Sequence, residues 1–303
     1  GEKPPTMREF SIEEIKEIVR NFALAARRAV TAGFDCVEIH CCHGLGVGQF
    51  LSPYYNHREA EYGKDWEGRL RLPTEIIKET RKVVGEEYPI FMRISADDLL
   101  PGGTTIKDSV EVIAPALEKA GVDCIDVSAG AIVHSWDGIL VPLYYPRGTW
   151  IPYAEAIKKV VNVPVIGVGR INDVKLAEKY VEEGKADIIY MGRQLVADPE
   201  TPKKYFEGRT EDIRMCTGCT TLCANYCSVN FDAGREGQFP ITPAGKAKRI
   251  LVVGGGPGGM EAARIAALKG HEVILCEKSK ELGGLVLPAS ATPLKAELRN
   301  IVN

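Results

Sequence analysis

The 303-residue chain is 45% hydrophobic and 26% charged, with a formal charge of −3. Such values fit a globular protein of more than one domain, and they exclude a chain built around nucleic acid or an anionic membrane. No apolar run reaches the roughly 20 residues of a transmembrane helix. No signal-peptide pattern opens the chain, so a cytoplasmic location is expected.

In chain order, Ile12, Ile15, Ile18, Phe22 and Ala26 recur at helical spacing, and Ser11 with Glu14 spells a capping box at the start. This helix is expected to stop near Gly33, and "FDCVEIH" (34–40) reads as a buried strand. A helical pattern at 73–85 precedes a strand at 88–95, and a helix ending near Gly121 precedes "CIDVSAG" (124–130). "AEAIKKVV" precedes "VPVIGVG" (163–169), and "VKLAEKYVEEG" precedes "DIIYMGR" (187–193). Apolar strands alternating with amphipathic helices predict parallel β/α units.

His40, Arg93, Ser95, Ser128, Gly169, Arg170, Gly192 and Arg193 all fall at or just past strand carboxyl ends, where a β/α barrel places its active site. "GVGR" and "MGR" end the last two strands, and Gly-Arg pairs suit a phosphate held after strands seven and eight. On that count the five strands are four to eight, and strands one to three are expected to be missing before Gly1.

The rhythm ends after Pro199, and Cys216, Cys219, Cys223 and Cys227 follow as C-x2-C-x3-C-x3-C. Nine cysteines so distributed do not form a secreted disulfide framework, and four close thiolates suit an iron–sulfur cluster or a structural zinc equally well. Their place between two cofactor-like segments favours a redox role. A Gly/Pro-containing linker (231–248) leads to "RILVVGGGPGGMEAARIAALKGHEVILCEKS". There Gly254, Gly256 and Gly259 form G-x-G-x-x-G between a strand and a helix, Glu277 ends the next strand, and Gly284 closes an "LGG" run. That context points to a dinucleotide, with Glu277 accepting from a ribose hydroxyl. The expected domains are a barrel over 1–210, a cysteine loop and linker over 211–247, and a truncated Rossmann-like unit over 248–303.

Two side-chain groups carry chemistry. His40 and His43, in "EIHCCHG", can bind a carbonyl or move a proton; as a metal site the pair lacks an evident third ligand. Cys41 and Cys42 between them read as small buried side chains. Arg93 inside an apolar strand needs a partner, either a buried carboxylate or a flavin carbonyl or N1.

The stretches "AGFDCVEIHCCHG", "QFLSPYYNHREAEYG", "RISADDLLPGG", "GVDCIDVSAG", "VIGVGRI", "ADIIYMGRQLVADP", "IRMCTGCTTLC" and "VVGGGPGGMEAARIAALKGHEV" resemble the Old Yellow Enzyme superfamily. The resemblance is to its iron–sulfur flavoprotein branch, which includes 2,4-dienoyl-CoA reductase, enoate reductases and trimethylamine dehydrogenase. It implies an α/β fold: the carboxyl-terminal five strands of a (β/α)8 TIM barrel, an iron–sulfur loop, and the start of an FAD/NAD-binding domain. It implies electrons passing from NAD(P)H to FAD, to a [4Fe-4S] cluster on the four cysteines, to FMN, and to the double bond of an enoyl-CoA or other enoate. His40 and His43 would hold the carbonyl, Arg93 would face the flavin, and Gly169, Arg170, Gly192 and Arg193 would hold the FMN phosphate. The partner implied is a small unsaturated molecule, with a second copy or an electron-transfer protein as further candidates. Two departures stand out: the loop before Cys227 is short, and Leu45 replaces the tyrosine that commonly protonates the α-carbon. Amine oxidation, or a non-catalytic electron-transfer subunit, are the alternatives those departures leave open.

Overall fold

The computed structural model describes residues 8–132, 134–221, 223 and 225–302; Leu222 and Ala224, inside the cysteine motif, lie outside the described residues. The chain divides into two compact units, Gly1–Leu140, Gly148–Gly169 and Glu178–Tyr190 in the first, and Val141–Arg147, Arg170–Ala177 and Met191–Asn303 in the second.

The first unit is built on five parallel strands, β1 (Val37–Cys41), β2 (Ile90–Ser95), β3 (Cys124–Ser128), β4 (Val165–Gly167) and β5 (Ile188–Ile189), paired in sequence order. Sequential parallel pairing with helical crossovers is the β/α arrangement expected. Helix α1 (Ile12–Thr31) starts on the capping box: Ser11 Oγ accepts from Glu14 N at 3.2 Å, and Glu14 Oε2 accepts from Ser11 N at 2.7 Å. Its buried stripe, Ile15, Val19, Ala23 and Ala26, has the helical period. Ser11→Ala should lower unfolding stability by about 1 kcal/mol, read by urea denaturation, because Glu14 N loses its Oγ acceptor.

Several boundaries differ from the sequence reading. β1 begins at Val37 rather than residue 34, because Phe34 closes the preceding turn: its N–H bonds back to Ala29 O, and its carbonyl accepts from the Tyr88 hydroxyl. The helix before β2, Trp66–Val84, begins well before Pro73, capped by Asp65 Oδ1 accepting from Gly68 N. Pro73 therefore lies inside the helix; buried Leu70, Leu72, Ile76 and Ile77 hold it there against the local cost of proline. β5 spans only Ile188–Ile189, shorter than the predicted 187–193. The crossover to β3 also contains a π-helical turn, Ser109–Ile113, that nothing in the sequence pattern announces.

The core of this unit gathers Ile15, Ile39, Ile76, Ile77, Met92 and Leu117 between α1, the helix Trp66–Val84, the helix Ala114–Ala120 and one face of the sheet. In the second unit, β6 (Arg249–Val253) and β7 (Glu272–Cys276) pair in parallel around the helix Pro257–Leu268. Among the described residues, no helix is long and apolar enough to cross a membrane.

Candidate functional site

Side chains alternate along a strand, and here the alternation separates chemistry from core. On β1, Ile39 and Cys41 are buried while Glu38 and His40 are exposed. On β2, Ile90, Met92 and Ile94 are fully buried while Arg93 is half-buried. The register sets His40 beside Arg93 and Arg93 beside Asp126 of β3, so one face of the sheet is a polar row. Arg93 Nη1 pairs with Asp126 Oδ2 at 3.0 Å, which supplies the carboxylate an arginine in this strand requires. Its Nε is buried and has no hydrogen-bond partner among the described residues. Burial pushes the Asp126 carboxyl up in pKa, Arg93 pulls it down, and the neighbouring Glu38 carboxyl pushes it up again.

His43 stands past the end of β1 with φ 62°, a conformation a non-glycine residue holds only when its surroundings fix it. They do: its N–H donates to Ser95 Oγ at 2.8 Å, and its carbonyl accepts from Ile132 N at 2.9 Å. Its ring Nε2 lies 2.8 Å from Ser128 Oγ, which Arg93 Nη2 approaches at 3.5 Å. With the arginine donating to that hydroxyl, the serine O–H is assigned as donor to Nε2, which leaves the imidazole proton on Nδ1. Nδ1 faces Cys42 Sγ at 3.4 Å, and the same sulfur lies 3.5 Å from His40 Nε2. The ring centroids are 5.2 Å apart. Burial first, then the Arg93 charge, hold the His43 pKa down at about 3, and the same two causes lower His40. Burial raises the Cys42 thiol, so it stays protonated. Cys41 and Cys42 are both buried, as the sequence suggests; the contact of Cys42 with both histidines is a feature of the fold alone.

In the second unit, Cys216, Cys219, Cys223 and Cys227 line one cavity of about 190 Å³. Burial pushes Cys219 up most strongly, but hydrogen bonds from Ser228 and Thr221 outweigh it and bring the thiol down to about 7. The loop is tied by residues that the sequence reading does not single out. Buried Gln194 accepts from Cys216 N at 2.8 Å and donates to Arg214 O at 3.0 Å, and Asp198 accepts from Arg214 N at 2.9 Å. Asn172 donates to Cys216 O. Their only signal is position, directly after the two Gly-Arg pairs.

Those pairs turn out differently from each other. Arg193 lines the cysteine cavity, where its charge lowers the Cys216 pKa against the larger effect of burial. Arg170 is buried, with Nη1 donating to Tyr145 O at 2.8 Å and Nη2 paired to Glu297 at 2.6 Å. Gly169, in the first unit, has φ 114°, and a Cβ there would stand only 2.8 Å from Trp150 N, so only glycine fits. Gly192 meets nothing within 4 Å.

The glycines of the fingerprint differ in their local constraints. Gly254 takes φ 103°, Gly256 has open space where a Cβ would be, and a Cβ on Gly259 would sit 1.9 Å from Gly254 O. Those are the turn, the close-approach position and the helix–strand packing position of a dinucleotide site. Gly284 takes φ 52° against Gly256. Glu277 accepts from Gly255 N at 2.6 Å and from Ser279 N at 2.9 Å, which holds its carboxyl low. Gly259→Ala should cost about 1–3 kcal/mol by forcing the backbone apart, with loss of retained flavin as the readout.

Residues 2–212 match the NADH:flavin oxidoreductase / NADH oxidase family, and residues 249–297 match the FAD dependent oxidoreductase family. The chain belongs to the NADH:flavin oxidoreductase / NADH oxidase family. It is 47% identical to an NADH oxidase of Thermoanaerobacter brockii, over 96% of this chain and 46% of that one. It is 38% identical to a cinnamate reductase of Clostridium sporogenes, over 98% of this chain and 48% of that one. A solved 2-naphthoyl-CoA reductase in complex with 2-naphthoyl-CoA superposes with TM-score 0.92 at 37% identity, covering 97% of this chain and 46% of that one. The chain thus spans about half the length of the curated relatives it matches.

Proposed function

We propose that the protein is an NAD(P)H-dependent ene-reductase acting on the carbon–carbon double bond of an enoyl-CoA or other enoate. The observation that carries this is the His40–Cys42–His43 cluster, in which two imidazoles held neutral face one point beside the Arg93 row. The kinship with a cinnamate reductase and a 2-naphthoyl-CoA reductase supports the substrate class. When bound, FAD, a [4Fe-4S] cluster and FMN would carry electrons in that order from NAD(P)H and deliver hydride to the alkene.

The residues fit those groups. Four thiols lining one cavity, with Cys219 brought down to about 7, can hold a cluster as thiolates. The Gly254–Gly259 turn with Glu277 suits a dinucleotide, and the unused Nε of Arg93 is a donor for a flavin acceptor atom. Gly169, Arg170, Gly192 and Arg193 are assigned to the FMN phosphate; for Arg170 this requires Glu297 to give way.

The protein's own part is electrostatic. A substrate carbonyl oxygen that reached this imidazole pair would accept from a ring N–H. Donors fixed before the reaction stabilise the negative charge that grows on that oxygen, drawing electron density from the β-carbon. Ser128 and Ser95 hold the His43 ring and backbone at that point. Leu45 cannot supply the α-carbon proton, and its 41% exposure leaves that side open to water. The same residue favours a second reading, oxidation of an amine with no such proton step. Anaerobic mixing with a methylated amine, without NAD(P)H, separates the two: flavin bleaching by the amine alone would replace the ene-reductase reading.

A further inference from the structure

We infer that His40, Cys42 and His43 form a binding site for a soft metal ion of the zinc or cadmium type. The sequence offers two histidines without a third ligand; the fold supplies it. The ligand atoms of the three side chains lie within 4.8 Å of one another. Cys42 Sγ is 3.4 Å from His43 Nδ1 and 3.5 Å from His40 Nε2. Bonds of about 2.3 Å to sulfur and about 2.0 Å to nitrogen in a tetrahedron separate S and N by roughly 3.6 Å. The sulfur therefore already stands at ligand spacing from both nitrogens, and only the two rings have to draw together. His40 is the exposed member, while His43 is the buried one.

The support around the fixed ring is of the kind metal sites use. When Nδ1 binds a metal, Nε2 carries the proton, and Ser128 Oγ at 2.8 Å is placed to accept it. The Cys42 proton leaves to solvent as the metal binds, with no change of oxidation state. One thiolate and two imidazoles favour Zn²⁺, Cd²⁺ or Cu⁺ over Mg²⁺ or Ca²⁺. Three protein ligands leave a fourth position open, the pattern of a reactive rather than a purely structural site. The metal and a substrate carbonyl would then compete for the same nitrogens. That competition, though not the binding, rests on the ene-reductase reading.

The test is a titration of the intact flavin- and iron-loaded protein with Cd²⁺, following thiolate-to-cadmium absorption in the ultraviolet. Wild type is expected to take up about one equivalent more than Cys42→Ser, as one three-ligand site requires, and Zn²⁺ should displace it. The other thiols are common to both proteins and cancel in the difference. His40→Gln keeps the thiol and should weaken binding by about 10–100-fold. Superimposable titrations of wild type and Cys42→Ser, with His40→Gln unchanged, would overturn the site. Cinnamate raising the apparent cadmium Kd supports the shared nitrogens. Cadmium binding that cinnamate leaves unmoved keeps the metal site and removes the competition, and with it the assignment of the carbonyl to these imidazoles.

Discussion

His43→Ala should lower kcat/KM for an enoate by about 10²–10³-fold, the usual loss when one preorganised donor to a developing oxyanion is removed. The loss should fall mainly on kcat, because the charge on the carbonyl oxygen is largest in the transition state. His43→Asn should recover part of it. Asparagine tolerates the left-handed backbone at φ 62° and keeps an N–H donor. A variant that merely loosened the fold would not be rescued in this order.

The ionisation of His43 gives the same prediction a second readout. Its folded pKa of about 3 lies below the ordinary value of about 6.5. As pH falls below about 6.5 the unfolded chain takes up a proton that the folded chain refuses, so the folded state loses stability progressively down to about pH 3. Above that window the group contributes nothing to the pH dependence. The Tm difference between wild type and His43→Asn should therefore shift in favour of the variant as pH is lowered from about 7 to about 5. Activity, in contrast, should show no His43 ionisation in that window, since the ring is neutral throughout.

The second large effect concerns the cysteine cavity. Cys219→Ser should bring iron and acid-labile sulfide to background and slow NADH-driven turnover by about 100-fold, the upper range for loss of a metal-site contact. Flavin reduced directly by dithionite should still pass its electrons to an enoate. Cys36→Ser, in the first unit and outside the cavity, should leave iron content unchanged. Zinc retained in place of iron would rule out the cluster.

Much of this is legible from residue pattern because it depends on short-range rules. The apolar strand runs and the period-3.6 apolar runs locate the seven strands of the described residues and the main helices, and Ser11 with Glu14 locates a helix start to the residue. The glycine fingerprint is readable because Gly254 and Gly259 answer local steric demands, most sharply Gly259 against Gly254 O. What escapes are facts of tertiary placement. Pro73 reads as a helix start until the buried side chains before it are seen to continue the helix. Arg93 is recognisable as needing a partner, but Asp126 lies on the next strand and only the register names it. Cys42 gives no sign of bridging two histidines, because the turn that swings His43 back is fixed by Ser95 and Ile132 from other strands and loops. Arg170 and Arg193 look alike in sequence, and only the fold gives one to Glu297 and the other to the cysteine cavity.

The most direct test of the ene-reductase reading is anaerobic stopped-flow of the intact protein: reduction by NADH, then mixing with cinnamate and with an enoyl-CoA. Flavin bleaching by NADH followed by rapid reoxidation on adding one of these acceptors, with the saturated acid or thioester as product, is the result expected. NADH-reduced flavin that stays reduced with every enoate, enoyl-CoA and enone offered, in protein that contains its iron and flavin, would contradict it.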